Sequence, residues 1–246
     1  MFWTGYKDYW DVWHLERLLP SNAVIADVGA NFGYYAIELC MALGPRARAV
    51  AFEPFPANFA RLEHHLRLNG LEERVRPLRL GLSDAPGKAV MAVREGRSNS
   101  GSAQVGAEGT AIETVRLDDV WPTVGYERLD LIKMDVEGHE ARALEGARDV
   151  VRQYRPLLLV EIDPPRLQEG GSSADALIEM LRSLGYRLFQ AQRRALVPVG
   201  EDGPRTLVNV FCIHEGSPPA GMTKVSVPED GSPSSELRDV GHAPLR

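Results

Sequence analysis

The sequence predicts an α/β fold with a mostly parallel sheet, and three observations carry that prediction. From Ala23 onward, apolar runs of strand length alternate with segments of helical period, the pattern of strands joined by crossover helices. The first of these strands ends in a glycine turn, Gly29-Ala30-Asn31-Phe32-Gly33, that leads directly into a helix. The last two apolar runs are joined by turn-forming residues where a crossover helix would otherwise stand, which closes the sheet with an antiparallel hairpin.

Taken in order, residues 1–20 form an aromatic helix. Six of the 18 aromatic residues fall in the first 13 positions, and Trp3, Tyr6, Trp10 and Trp13 recur at the spacing of one helix face. That face reads as a helix docked on its own domain, or as a substrate lid or homodimer contact. The domain proper spans 21–214. Its strands are expected at 24–28, 48–52, 75–82, 129–134 and 157–162, with helices near 33–43, 56–69, 139–153 and 173–184. Short strands are expected at 88–93 and 112–117, and the runs 186–191 and 207–213 supply the closing hairpin of a seven-stranded sheet. The small, polar segment 95–110 reads as a surface loop or as a mobile loop near the active site. Residues 215–246 read as a disordered tail: beyond Glu215 the chain carries five prolines, four glycines and no aromatic residue.

Composition narrows the function classes. A chain of 246 residues, 44% hydrophobic and 25% charged, suits one soluble core. No apolar run approaches the roughly 20 residues of a membrane span, and the mixed, aromatic start does not resemble a secretory signal, so cytoplasmic residence is expected. Cys40 and Cys212 lie in apolar stretches and read as buried thiols. A net charge of −6 disfavours nucleic acid as a partner.

Five strand ends carry the candidate chemistry. The segment Asp27-Val28-Gly29-Ala30-Asn31-Phe32-Gly33 stands where ligands of open α/β sheets gather, and Gly29 and Gly33 offer close approach to the backbone. The spacing lacks the G-x-G-x-x-G that cradles a pyrophosphate, which favours a cofactor without phosphates; simple strand-to-helix geometry is the plain alternative. Glu53 ends the next strand, about 20 residues later, where a carboxylate can accept both ribose hydroxyls of an adenosine or cap a helix. Ser83 and Asp84 offer one donor and one acceptor to an adenine edge, or form an ordinary turn. The block IKMDVEGHE crowds Lys133, Asp135, Glu137, His139 and Glu140 around one strand tip. Crowded carboxylates beside a histidine suit acid/base chemistry, whereas acids decorating a helix N-terminus would be structural. Glu161 and Asp163 add carboxylates at the fifth strand end, able to hold a substrate hydroxyl or a divalent cation, or to serve structure alone.

The blocks DVGANFGYY, AFEPFPANFARLEHHLRLNG, GLSD, LDDV and IKMDVEGHEARALEGA resemble, in content and order, those of the FkbM-type methyltransferase family over residues 22–165. The resemblance implies a class I methyltransferase fold, Rossmann-like, with S-adenosyl-L-methionine as methyl donor. It also implies O-methylation of a hydroxyl on a sugar or polyketide-like small molecule. Asp27, Gly29 and Asn31 would surround the methionine portion, with Gly33 in the same turn, Glu53 at the ribose and Ser83 with Asp84 near adenine. Asp135 would border the methyl group, and Glu137 and His139 are catalytic candidates from their place in the matched block. An alcohol needs a base as its new bond forms; His139 is the first choice and Asp135 the second, as base or anchor. Three other readings stand beside this one. They are a metal-assisted O-methyltransferase using Asp135, Glu161 and Asp163, a nucleotide-dependent oxidoreductase, and a partner-binding module using the aromatic N-terminal face.

Overall fold

The computed structural model describes residues 7–93, 103–105, 109–201, 203–204 and 206–227. Trp3 and Tyr6 of the aromatic segment, most of segment 95–110 and residues 228–246 of the expected tail lie outside that set. The chain begins with α1 (Lys7–Leu18), β1 (Val24–Val28), α2 (Tyr34–Leu43), β2 (Arg48–Phe52), α3 (Pro56–Leu68) and β3 (Val75–Leu78). Four short strands follow, β4 (Gly81–Leu82), β5 (Gly87–Val93), β6 (Ala103–Val105) and β7 (Thr110–Val115), then α4 (Leu117–Val120). The second half runs β8 (Leu131–Met134), α5 (Glu140–Glu145), α6 (Arg148–Tyr154), β9 (Leu157–Ile162), α7 (Pro164–Glu169) and α8 (Ala174–Ser183). It closes with β10 (Tyr186–Gln192), β11 (Ala195–Pro198) and β12 (Val208–His214).

The main sheet has the order β11-β10-β12-β9-β8-β1-β2-β3. Strands β3, β2, β1, β8 and β9 are mutually parallel, and β12 enters antiparallel between β9 and β10. Both faces are covered, which is why the central strands read as unbroken apolar runs. Alternate side chains go to opposite cores. Ile25, Ala49 and Leu131 pack with α1, α2 and α3, while Ala26, Val50 and Ile132 pack with α5, α6 and α8.

Several boundaries depart from the expectation. The sheet has eight strands rather than seven: Arg193, in the left-handed region at φ 53°, turns the chain so that Ala195–Pro198 returns along β10 as an edge strand. An edge tolerates the proline that ends it. The run 75–82 breaks after Leu78, whose partner Phe52 ends β2, and Gly81–Leu82 joins a separate four-stranded sheet ordered β4-β7-β5-β6. The predicted helix 139–153 is two helices. At Gly146 a Cβ would lie 1.9 Å from the Ser83 carbonyl oxygen, so the chain bends where another backbone presses on it.

The N-terminal helix buries a different stripe from the aromatic one. Asp11, Val12, His14, Leu15 and Leu18 face the domain, while Trp10 and Trp13 lie half-buried on the flank, with the Arg17 guanidinium 3.6 Å above the Trp13 ring. The first part of the expected tail is also structured. Val225 is buried, Leu196 N–H donates to the Ser226 carbonyl (2.9 Å), and Gly221 N–H donates to the Leu18 carbonyl (3.2 Å). Composition averaged over the tail hides the few apolar residues that dock it. Among the described residues no helix is long and apolar enough to cross a membrane.

Candidate active site

The carboxyl ends of β1, β2, β8 and β9 gather the charged residues. In the β1 turn, Gly29 adopts φ 72°, and a Cβ there would lie 1.8 Å from the Asp135 carbonyl oxygen. At Gly33, φ 94°, a Cβ would lie 2.6 Å from Leu62 Cδ1. Both spaces are thus filled by the protein itself. The glycines let the turn press on the β8 tip and on α3.

The same turn is fastened by two buried carboxylates. Glu53 Oε2 accepts from Asn31 N–H (2.8 Å) and Oε1 from Phe55 N–H (2.9 Å), which stabilises Asn31 in the left-handed region at φ 52°. Burial pushes the Glu53 carboxyl up, and the two amides and Lys133 oppose that shift. Asp27, fully buried, accepts from Ala36 N–H (3.0 Å) in the first turn of α2, where a helix dipole favours negative charge. Its other oxygen has no hydrogen-bond partner among the described residues and lies 3.6 Å from Lys133 Nζ. Burial raises the Asp27 carboxyl and the Lys133 ammonium opposes it.

Lys133 is the hub. Its Nζ donates to the Gly29 carbonyl (2.9 Å), lies 3.6 Å from Asp27 and 3.8 Å from Asp135, and sits 5.3 Å from the Tyr35 ring centroid. Burial disfavours its charge, yet Asp135, Asp27, Glu161 and Glu53 together outweigh burial and hold the ammonium above its ordinary range. On the far side of Lys133, carboxylate oxygens of Asp135, Glu140 and Glu161 all lie within 4.8 Å of one another. Glu140 Oε1 accepts from Val136 N–H (2.9 Å) and Gly138 N–H (3.2 Å), closing the loop after β8, while its Oε2 is buried without a hydrogen-bond partner among the described residues. Burial pushes Glu140 up to about 7. Glu161 is pushed up to about 9 by burial, then by the negative charge of Asp135 and Glu140 and a hydrogen bond with Asp135.

The other expected residues lie apart from this cluster or are otherwise engaged. Glu137, left-handed at φ 58°, pairs with Arg166, which also reaches Asp163 (3.2 Å). That ion pair ties the loop after β8 to α7, and a Cβ at Gly138 would lie 2.2 Å from the Arg166 carbonyl oxygen. His139 stands at the N-terminus of α5, half-buried, its imidazole lowered by burial and by Arg142. Ser83 Oγ donates to Asp84 Oδ1 (2.9 Å), and Ser83 N–H to Val115 (2.9 Å), which fastens both to the smaller sheet. A link from α1 went unread in the sequence: Asp11 Oδ2 accepts from Asn209 Nδ2 (2.7 Å) and Tyr35 OH (3.4 Å), and Asn209 is the register partner of Glu161. Lys133 was legible in part, as one of the charges crowded at the β8 tip; Asp11 and Asn209 carried no signal.

Residues 27–188 match the methyltransferase FkbM domain. The chain belongs to the FkbM methyltransferase family. Among its relatives, the 2-O-methyltransferase NoeI of Sinorhizobium fredii is 29% identical over 187 residues, 69% of this chain and 75% of that protein. The hexuronic acid methyltransferase AglP of Haloferax volcanii is 34% identical over 152 residues, 59% of this chain and 60% of that protein. The chain spans between 10% and 75% of the length of the curated relatives it matches. The crystal structure of a methyltransferase FkbM from Methylobacillus flagellatus superposes with a TM-score of 0.54 at 18% identity, over 79% of this chain and 44% of that one. The FkbM domain thus has the class I methyltransferase fold, and the matched region contains every strand tip described above.

Proposed function

We propose that the FkbM domain transfers a methyl group from S-adenosylmethionine to a hydroxyl of a small-molecule acceptor, a sugar or a polyketide-like compound. The observation that carries this reading is the joined pair of strand-tip clusters, hydrogen-bond acceptors at β1 and β2 and crowded carboxylates at β8 and β9, linked through Lys133. The residues present suit the cofactor. Among the described residues Asp27 Oδ1 and Asn31 Oδ1 lack hydrogen-bond partners, and each Glu53 oxygen accepts from one amide, which leaves acceptor capacity for hydroxyl and ammonium donors. Asp27, Gly29, Asn31 and Gly33 would hold the methionine portion and Glu53 the ribose. Ser83 and Asp84, fastened to each other at the smaller sheet, remain the candidates for adenine. The cofactor supplies a methyl group on a positively charged sulfur, so the protein's work is to align the acceptor oxygen, exclude water and take the acceptor's proton.

The names of NoeI and AglP support oxygen and a sugar acid as the kind of acceptor. A metal-assisted variant would use Asp135, Glu140 and Glu161, whose oxygens lie within 4.8 Å of one another. Lys133 already supplies positive charge 3.8 Å from Asp135, which favours the acid/base reading. The test is calorimetry with S-adenosylhomocysteine, followed by transfer of labelled methyl to glycosylated and polyketide acceptors after exhaustive chelation. Saturable binding and transfer are expected. Absence of binding would overturn the cofactor assignment, and transfer lost on chelation but restored by a divalent cation would favour the metal-assisted variant.

A further inference from the structure

We infer that Asn209 reads the acceptor's hydroxyl next to the one that is methylated, and that Asp11 of α1 sets the amide for that task. This rests on the methyltransferase reading above and deepens it by naming a specificity-determining residue and a positioning residue for the acceptor.

Four adjacent strands, β12, β9, β8 and β1, each place one polar residue toward the same end of one sheet face. Alternate side chains of a strand share a face. Asp27 follows Ile25, Lys133 follows Leu131, Glu161 follows Leu159 and Asn209 precedes Phe211, and those four apolar residues all pack with α1 and α2. Asp27 is the register partner of Lys133, and Glu161 that of Asn209. The polar row therefore starts beside the glycine turn and ends at Asn209. Directly opposed residues of an antiparallel pair have their Cβ atoms about 5 Å apart, so Glu161 and Asn209 stand side by side. Asparagine is disfavoured in strands, yet this one interrupts the apolar run VNVFCI beside the carboxylates assigned above to the acceptor.

Tyr35 and Asp11 roof the row. The Tyr35 ring centroid lies 5.3 Å from Lys133 Nζ, and the Tyr35 hydroxyl lies 3.4 Å from both Asp11 Oδ2 and Asn209 Nδ2. Asp11 and Tyr35 are buried, whereas Asn209 is partly exposed. A carboxylate only accepts, so the 2.7 Å contact with Asp11 Oδ2 fixes the NH₂ group of Asn209 on the α1 side. Its two N–H bonds then serve Asp11 and Tyr35. The carbonyl oxygen Oδ1 is turned away from Asp11, as the acceptor that Asn209 can offer a hydroxyl.

Two polar side chains standing next to each other suit two hydroxyls on neighbouring carbons. One faces the crowded carboxylates and is methylated; the other donates to Asn209 Oδ1 and fixes the molecule's register, with no bond made or broken there. A site that hydrogen-bonds a substrate hydroxyl penalises the analogue lacking it, because the protein group is left unpaired.

The test supplies methyl-labelled S-adenosylmethionine with methyl hexopyranosides and methyl hexuronopyranosides, and maps the methylated position on the product. The two analogues deoxygenated at the flanking carbons are then compared with the parent glycoside. In the unmodified protein kcat/KM should fall about tenfold for one of the two analogues. The preference should vanish in Asn209→Ala and in Asn209→Ser, the second of which keeps a donor for Asp11. It should weaken in Asp11→Ala and return in Asp11→Asn, which again offers the amide an oxygen. A ratio of two kcat/KM values from one preparation cancels the fraction folded, so a role confined to anchoring α1 would not move it. Equal use of glycoside and analogues, a preference that persists in Asn209→Ser, or transfer to no glycoside would each overturn the role of Asn209. A preference unchanged in Asp11→Ala would overturn that of Asp11. The methyltransferase reading survives these results if S-adenosylhomocysteine binds the unmodified protein, and falls if it does not.

Discussion

The two halves of the strand-tip site use carboxylates in opposite ways. At β1 and β2, Asp27 and Glu53 are clamped by backbone amides from Ala36, Asn31 and Phe55, so their charge organises the fold of one turn. At β8 and β9, Asp135 and Glu161 crowd each other and the buried Glu140, so their charge is a source of tension. In the first half, backbone amides and Lys133 oppose the cost of burying the two carboxylates. The second half is held in place by neighbours, Glu140 by its loop and Arg166 by Glu137, yet remains short of positive charge. A site that binds one ligand and transforms another needs both characters, preorganisation on one side and a perturbed proton affinity on the other.

Mutations can break or sharpen that contrast. The largest effect is expected at the seam: Gly29→Ala must clear 1.8 Å from the Asp135 carbonyl and adopt φ 72°, and should cost about 3–5 kcal/mol of stability in thermal or denaturant unfolding. A variant as stable as the parent would show that the halves are not pressed together there. Lys133→Met leaves Asp27 and Asp135 without the cation they share, at a cost of about 3 kcal/mol. Because the stranded carboxyls then gain most from protonation, the deficit should shrink as the pH is lowered from 8 toward about 5. Stability curves of variant and parent that stay parallel across that range would remove Lys133 as the hub.

On the satisfied side, Glu53→Gln exchanges one amide acceptor for a donor and should weaken S-adenosylhomocysteine binding by about 10–100-fold in calorimetry. Unchanged affinity would exclude Glu53 from the cofactor. On the tense side the sign reverses. A carboxyl whose folded pKa is raised to about 9 stabilises least at high pH, since folding must take up a proton above its unfolded value near 4.5. Glu161→Gln should therefore stabilise the ligand-free protein by about 1 kcal/mol at pH 8 and by less at pH 5. A destabilised variant at pH 8 would mean that Glu161 is as well satisfied as Glu53.

The sequence disclosed the first half of this site more fully than the second. A turn carrying Gly29 and Gly33 and a carboxylate at the next strand end are local patterns, and the residues expected at the cofactor fall together because β1 and β2 are sequential and adjacent. The structure adds a packing reason that the pattern did not carry, for the Cβ space at Gly33 is taken by Leu62. At β8 the crowding was visible, but a string of acids does not show which of them converge. Glu161 comes from another strand, Glu137 is drawn off by Arg166, and His139 is not one of the three groups whose oxygens converge. The fold followed the same rule. Parallel strands with their crossover helices were legible from period and length, whereas β11 and the break after Leu78 depend on where a partner strand ends.

The stretch around Gly221 has its own consequence. Its backbone lies so close to Arg17 that a Cβ would come within 1.7 Å of that carbonyl oxygen, and its amide closes on Leu18. The foot of α1 is therefore latched by a segment synthesised long after it. Until that segment emerges from the ribosome, Val12, Leu15 and Leu18 have a sheet whose last strands are missing and no latch beneath them. Docking of α1 should be among the final events of folding, and the nascent chain must meanwhile shield a greasy helix from its neighbours.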